Sequence, residues 1–86
     1  MGYSVVIKKQ AKKKLESLTR TEKRRLVDQI NMLGYNPDDT NLDIKKLVGE
    51  PFYRLRVGDW RIIFDRRDIL KIISIEKIKS RGDVYK

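Results

Sequence analysis

The stretch Tyr53-Arg54-Leu55-Arg56-Val57-Gly58-Asp59-Trp60-Arg61 sets three arginines among residues suited to a core. A guanidinium group stays protonated at any physiological pH. It offers five N–H donors in a planar fork and grips phosphate oxygens bidentately. Arginines gathered on one surface therefore hold a polyanion, and they stabilise negative charge that builds up during a reaction at phosphorus. The same residues are equally at home as solvated groups on the outer face of a sheet. The rest of the chain narrows the chemistry. It has no histidine and no cysteine. Imidazole bases, imidazole or thiolate metal ligands and disulfides are all excluded.

The elements that must position these arginines follow from hydrophobic spacing. Tyr53, Leu55 and Val57 alternate with Arg54 and Arg56, which is strand period, and Gly58-Asp59 turns the chain into a second strand, Trp60-Arg61-Ile62-Ile63-Phe64. A third β-branched run covers Ile69 to Ile78, with Arg67-Asp68 as the turn before it. Tyr3 to Ile7 is a first short strand. Ala11, Leu15 and Leu18 make one apolar stripe at helical spacing, and Leu26, Ile30 and Leu33 make another beside Val27. Thr19-Arg20-Thr21-Glu22 fits a capping box at the start of the second helix, and Gly34 is expected at its C-terminal cap. Pro37 and the Asn/Asp cluster around it form a loop. The following Leu47 and Val48 lie in a short extended piece or connector. The order is β-α-α-β-β-β. The expected fold is α+β, an antiparallel sheet packed on one face by an N-terminal helical hairpin. Tyr53, Leu55 and Val57 then face the helices, while Arg54 and Arg56 take the uncovered face, with Arg61 close enough to join them.

The chain has 86 residues and a net charge of +9. One domain over 1–86 is expected. The charge is uneven: +6 over residues 1–35, −2 over 36–50 and +5 over 51–86. Such a balance attracts polyanions, nucleic acid first among them. The N-terminus is not a secretory signal and no run is long enough to span a membrane, so a cytoplasmic protein is expected.

The paired central strands, the terminal Arg81-Gly82-Asp83-Val84-Tyr85-Lys86 and the opening pattern of Tyr3, Val5 and Ile7 before a lysine-rich helix together resemble the RelE/ParE superfamily of toxins. The resemblance covers the whole chain. Its RelE branch implies a ribosome-dependent mRNA endonuclease that enters the A site, needs no metal or cofactor, and is blocked by a cognate antitoxin. The message's 2′-hydroxyl attacks the adjacent phosphate and expels the 5′-oxygen. Carried over by position, Arg54 and Arg56 match a basic pair, Arg61 an arginine on the next strand, and Arg81 and Tyr85 a basic residue and tyrosine near the terminus. Arg61 then stabilises the phosphorane, and Arg81 neutralises or protonates the leaving oxygen. Tyr85 stacks on a splayed base, and Arg54 and Arg56 hold flanking phosphates. Some members carry lysines where Arg54 and Arg56 stand, and others use a histidine that this chain lacks. The general base is open among Glu50, Lys77 and Lys79.

Lys8, Lys9, Lys12, Lys13, Lys14, Lys23, Arg24 and Arg25 surround the helices. They serve either as solvated faces, as sequence-independent contacts to ribosomal RNA with Lys77 and Lys79, or as a seat for an acidic or amphipathic antitoxin segment. Two other functions fit the same resemblance. One is a ParE-like toxin that acts on DNA gyrase without cutting RNA. The other is a domain that acts only with its antitoxin in repressing their operon, reaching operator DNA through that antitoxin.

Overall fold

The computed structural model describes residues 2–80. Arg81 and Tyr85 lie outside the described residues. The chain runs β1 (Ser4–Ile7), α1 (Lys9–Glu16), α2 (Arg20–Tyr35), β2 (Asp43–Lys46), β3 (Tyr53–Val57), β4 (Trp60–Arg67) and β5 (Ile72–Ser80). The strands form one sheet in the order β1-β5-β4-β3-β2. The expected α+β architecture is present, with two differences. The sheet is mixed, because β1 pairs with β5 in parallel. It also gains an edge strand, β2, antiparallel to β3.

The two helices carry the chain from the β1 edge to the β2 edge and cover one face on the way. Ala11 and Leu15 from α1 and Leu26, Ile30 and Leu33 from α2 are buried against Leu55, Val57, Ile62, Phe64, Ile73, Ile75 and Ile78 of the sheet. Thr19 caps α2 as expected, the Glu22 N–H donating to its Oγ1 at 3.2 Å, but the Glu22 carboxylate accepts from the Thr19 hydroxyl at 3.2 Å and not from its backbone N–H, so half of the capping box forms. Gly34 is not the cap. Helix α2 continues to Tyr35, and the Asn36 N–H closes it on Met32 O at 2.9 Å. Gly34 is glycine because β1 packs against it: a Cβ there would lie 2.5 Å from Val5 Cγ2.

The β3–β4 connection is the two-residue turn read from the sequence. Val57 pairs with Trp60, and Gly58 takes the positive φ of 60° that such a turn requires at its first position. The β4–β5 connection differs from expectation. Strand β4 runs on to Arg67, which pairs with Ile72, so Ile69 and Leu70 sit in the turn at 96% and 66% exposure and not in a strand.

One irregularity bears on function. Ile63 pairs with Lys77, but Phe64 pairs with Ile75. Glu76 is therefore an extra residue, a β-bulge. Ile75 and Ile78 are both buried on the helix side, three residues apart, and Glu76 and Lys77 lie between them.

Candidate nucleic-acid interface

Cross-strand partners share a face of the sheet. On the helix side the rows are Val57–Trp60–Ser80, Leu55–Ile62–Ile78 and Tyr53–Phe64–Ile75. Phe64 is buried and stacks on Tyr53, with ring centroids 5.5 Å apart. The indole N–H of Trp60 donates to Glu22 Oε2 at 2.8 Å, and Lys14 lies over the ring. Both aromatics belong to the core side.

The opposite face is built from the intervening residues. One row runs Asp43–Arg56–Arg61–Lys79, and the next runs Lys45–Arg54–Ile63–Lys77. Arg54, Arg56 and Arg61 thus meet on the uncovered face, as alternation requires, and Lys77 and Lys79 join them. Arg56 and Arg61 stand directly opposite each other. Like charges so placed destabilise a sheet.

The pairing of these arginines sets them apart from others in the chain. Arg66 donates bidentately to Asp38 at 2.9 and 3.1 Å and to Asp68 at 2.6 Å, and Arg67 donates to Asp65 at 2.8 Å. The hydrogen bond from Arg66 holds the carboxyls of Asp38 and Asp68 below the usual carboxylate range. Those arginines are fastened into the loops. Arg54 has one long contact, 3.3 Å to Asp43, and its Nε is buried without an acceptor. Arg61 Nη1 is likewise buried and unsatisfied. Among the described residues Arg56 donates only to the Gly58 carbonyl, at 3.5 Å. Among the described residues neither Arg56 nor Arg61 has a carboxylate partner. Buried N–H donors without acceptors are rare and costly. Two of them lie within this one cationic cluster.

Beside the arginines lies a pocket of about 120 Å³. Leu47, Phe52 and Ile63 supply its apolar surfaces, and Glu50, Glu76, Lys77 and Lys79 its charges. The three residues left open as a base are thus brought together. Glu76 was not foreseen. Its signal was the spacing of Ile73, Ile75 and Ile78, which breaks a strict alternation by one residue. A larger concavity, about 570 Å³, surrounds the β4–β5 turn, but its arginines are the ion-paired Arg66 and Arg67.

The remaining basic residues separate from this site. Lys9, Lys12, Lys13, Lys23 and Arg24 are exposed on the helical layer, and Lys8 is exposed at the β1–α1 junction, where its N–H donates to Ile75 O at 2.9 Å. They form a second basic surface, apart from the rows that carry Arg54, Arg56 and Arg61. Arg25 reaches around the β3–β4 turn, where a Cβ on Gly58 would lie 2.9 Å from its Nη2.

Comparison with known proteins identifies relatives over nearly the whole chain. A family model described as the ParE toxin of the type II toxin-antitoxin system, parDE, matches residues 5–85. The structure is similar to a chain of the archaeal RelE-RelB complex from Pyrococcus horikoshii OT3. That match has 38% identity and a TM-score of 0.82, and it covers 95% of this chain and 98% of that one. The RelB-RelE complex of Methanococcus jannaschii gives 24% identity, a TM-score of 0.76, and coverage of 94% and 95%. The intact E. coli RelBE complex gives 17% identity, a TM-score of 0.76, and coverage of 91% and 95%. The last two likenesses speak to the fold alone. No curated protein sequence matches the chain.

Proposed function

The chain belongs to the RelE/ParE family of toxins of type II toxin-antitoxin systems, and from that premise we propose that it is an mRNA endonuclease working in the ribosomal A site. The observation that carries this reading is the face on which Arg54, Arg56 and Arg61 gather, Arg54 and Arg61 each with a buried guanidinium nitrogen that meets no acceptor among the described residues. A reaction at phosphorus needs such groups. The 2′-hydroxyl of the message gives its proton to a base, for which Glu50, Lys77 and Lys79 are the candidates, and its oxygen forms a bond to phosphorus while the bond to the 5′-oxygen breaks and the departing oxygen takes a proton. Negative charge peaks on the equatorial oxygens in between. Arg61, in the middle of its row, serves those oxygens, and fixed donors there are worth far more than mobile ones in water. Arg54 and Arg56 hold the flanking phosphates, with Lys77 and Lys79 extending the track. Arg81 serves the leaving oxygen and Tyr85 stacks on a base.

The helical basic surface fits sequence-independent contact with ribosomal RNA, with a steep dependence on salt. Two separate cationic faces suit a protein that holds a message on one side and a large RNA on the other. A cognate antitoxin is the expected protein partner. The 38%-identical relative was solved in complex with RelB, and a net charge of +9 favours an acidic or mixed-charge segment laid across the toxin. Operator DNA is reached through that antitoxin.

The family model's ParE description favours one second reading, a toxin directed at DNA gyrase by protein contacts. Primer extension on an actively translated message separates the two. Codon-phased cuts that vanish in Arg61→Ala and Arg81→Ala are expected. Intact messages together with inhibited DNA supercoiling would refute the endonuclease.

A further inference from the structure

We propose that Glu22 and Trp60 are positioning residues: their hydrogen bond clamps the tip of the β3–β4 hairpin to the start of α2 and so holds Arg56 and Arg61 in place for the message's phosphate. The inference rests on the RNA-cleaving reading above and adds to it the device that fixes the arginines. Both residues act from the helix side of the sheet, away from the message.

The need for a clamp follows from the register. Arg56 and Arg61 stand opposite each other, and only the pair Val57–Trp60 separates them from the turn. Lys79 flanks Arg61 on its other side. Three like charges in one row push the strands apart, and the push falls at the end of a hairpin. On the open face, among the described residues, these two arginines find only the Gly58 carbonyl, which accepts from Arg56 Nε at 3.5 Å. The restraint has to come from the helices.

Three helical side chains supply it. The indole N–H of Trp60 donates to Glu22 Oε2 at 2.8 Å, and Lys14 Nζ lies over the ring, 5.6 Å from its centroid. Arg25 closes on the turn itself, so that a Cβ on Gly58 would lie 2.9 Å from its Nη2. Glu22 is held in turn. Its N–H donates to Thr19 Oγ1, and its Oε1 accepts from the Thr19 hydroxyl, both at 3.2 Å. Both carboxylate oxygens are therefore engaged, one inside the first turn of α2 and one on the hairpin. Trp60 packs on the margin of the core and is half-buried, whereas Leu55, Ile62 and Phe64 are buried. A ring so placed takes its orientation from its hydrogen bond, and a bond to an ionised acceptor is about twice as strong as a neutral one.

The clamp reaches the site through the strand. Successive residues of a strand point to opposite faces, with Cα atoms about 3.8 Å apart. Trp60 precedes Arg61, so a strand end that turns about Trp60 carries the Arg61 guanidinium with it on the open face. The tethered row Val57–Trp60 continues to Ser80, and the next residue in sequence is Arg81. One fixed row thus adjoins both arginines assigned to the reaction. A displacement of about 1 Å at a reacting group can cost about 100-fold in rate.

Two measurements on the full-length protein test this. In the first, cleavage of a message on programmed ribosomes is timed for the wild type, Trp60→Phe, Glu22→Ala, Glu22→Gln and the variant carrying both Trp60→Phe and Glu22→Ala, each well below its Tm. Trp60→Phe keeps an aromatic ring and loses the donor. Trp60→Phe and Glu22→Ala should each lower kcat about tenfold with KM unchanged, and the double variant should be no slower than either alone. Glu22→Gln keeps an acceptor for the indole and should stay within about twofold of the wild type. In the second, the arginine side-chain Nε–H signals are compared by NMR. Those of Arg56 and Arg61 should shift in Trp60→Phe and Glu22→Ala, while those of Arg66 and Arg67, fastened to Asp38, Asp68 and Asp65, should stay. A lowered Tm with kcat intact, or losses that add in the double variant, overturns the clamp and leaves the endonuclease standing. If the wild type cuts no message, the endonuclease falls. The NMR comparison then decides the clamp alone, and unmoved Arg56 and Arg61 signals overturn it.

Discussion

Replacing Arg61 with methionine should make the protein more stable while removing its activity. Methionine keeps an unbranched apolar stem of similar reach and discards the guanidinium. Arg61 stands between Arg56 on one side and Lys79 on the other in a single row. At about 7 Å in a medium close to water, each like-charge pair costs roughly 0.6 kcal/mol, and more where the strands exclude solvent. Arg61 Nη1 is also buried without an acceptor, and an unsatisfied donor costs about 1–3 kcal/mol. Against this stands the hydration of the exposed part of the group, which methionine forgoes. A net gain of about 1 kcal/mol is the central expectation, or a rise of roughly 4–8 °C in Tm for a domain this size. Thermal unfolding followed by circular dichroism measures it. The repulsive share should shrink between 0.05 and 0.5 M salt, as the screening length falls below the spacing of the charges. Added inorganic phosphate should stabilise the wild type and not the variant, because only a ligand of the native state raises Tm. A loss of 1 kcal/mol or more in Arg61→Met would refute the reasoning: Arg61 would then be a structural residue and its unpaired donor would have no functional meaning.

Three further outcomes test the frame that holds the site. Leu55→Ala truncates a fully buried residue between Ile44 and Ile62 and should cost about 2–5 kcal/mol in urea unfolding; a change below about 0.5 kcal/mol would mean that it does not face the core. Gly34→Ala should destabilise, because the added Cβ meets Val5 Cγ2 and an overpacked methyl costs about 1–3 kcal/mol against a helix-propensity gain of about 1 kcal/mol; combining it with Val5→Ala should recover part of the loss. The folded carboxyls of Asp38 and Asp68 titrate below their ordinary value of 3.8 because of their hydrogen bonds with Arg66. Their contribution is therefore complete above that value and is lost as pH falls through the lowered folded values. Melting curves should show wild-type Tm dropping more steeply than that of Asp38→Asn below about pH 4, and parallel profiles would contradict the assignment.

The separation of the two sheet faces was legible in the sequence because a period of two is unambiguous where one face is apolar. Tyr53, Leu55 and Val57 against Arg54 and Arg56 admit one arrangement once helices cover a single side. Strand β2 was not legible. Asp43-Ile44-Lys45-Lys46 is short and charged, and it is a strand only because β3 offers it a ladder. Ile69 and Leu70 misled for the opposite reason, since an apolar run continues straight through the turn. The difference between Arg66 and Arg61 could not be read at all. Both lie in the same strand, and only the fold decides which one meets Asp38 and Asp68. Glu76 was missed because its run looks uniformly β-branched.

That bulge ties the fold to the site. Without it, strict alternation from Ile73 and Ile75 would send Lys77 and Lys79 into the core and Ile78 to the open face, since a slip of one residue exchanges the faces of everything beyond it. Burying two ammonium groups without partners costs far more than the ladder hydrogen bond that the bulge gives up. The sequence from Ile73 to Lys79 therefore allows a folded sheet only with an extra residue at Glu76–Lys77. The same adjustment that keeps Ile78 packed against Ile62 places a carboxylate and two ammonium groups beside Arg54 and Arg61. Deleting Glu76 would remove the extra residue and leave Ile75, Lys77, Ile78 and Lys79 in strict alternation with the same partners and faces, so it should cost less than about 1 kcal/mol in urea unfolding; a larger loss would show that the bulge itself, and not the placement of Ile78 and the lysines, is what the sheet needs.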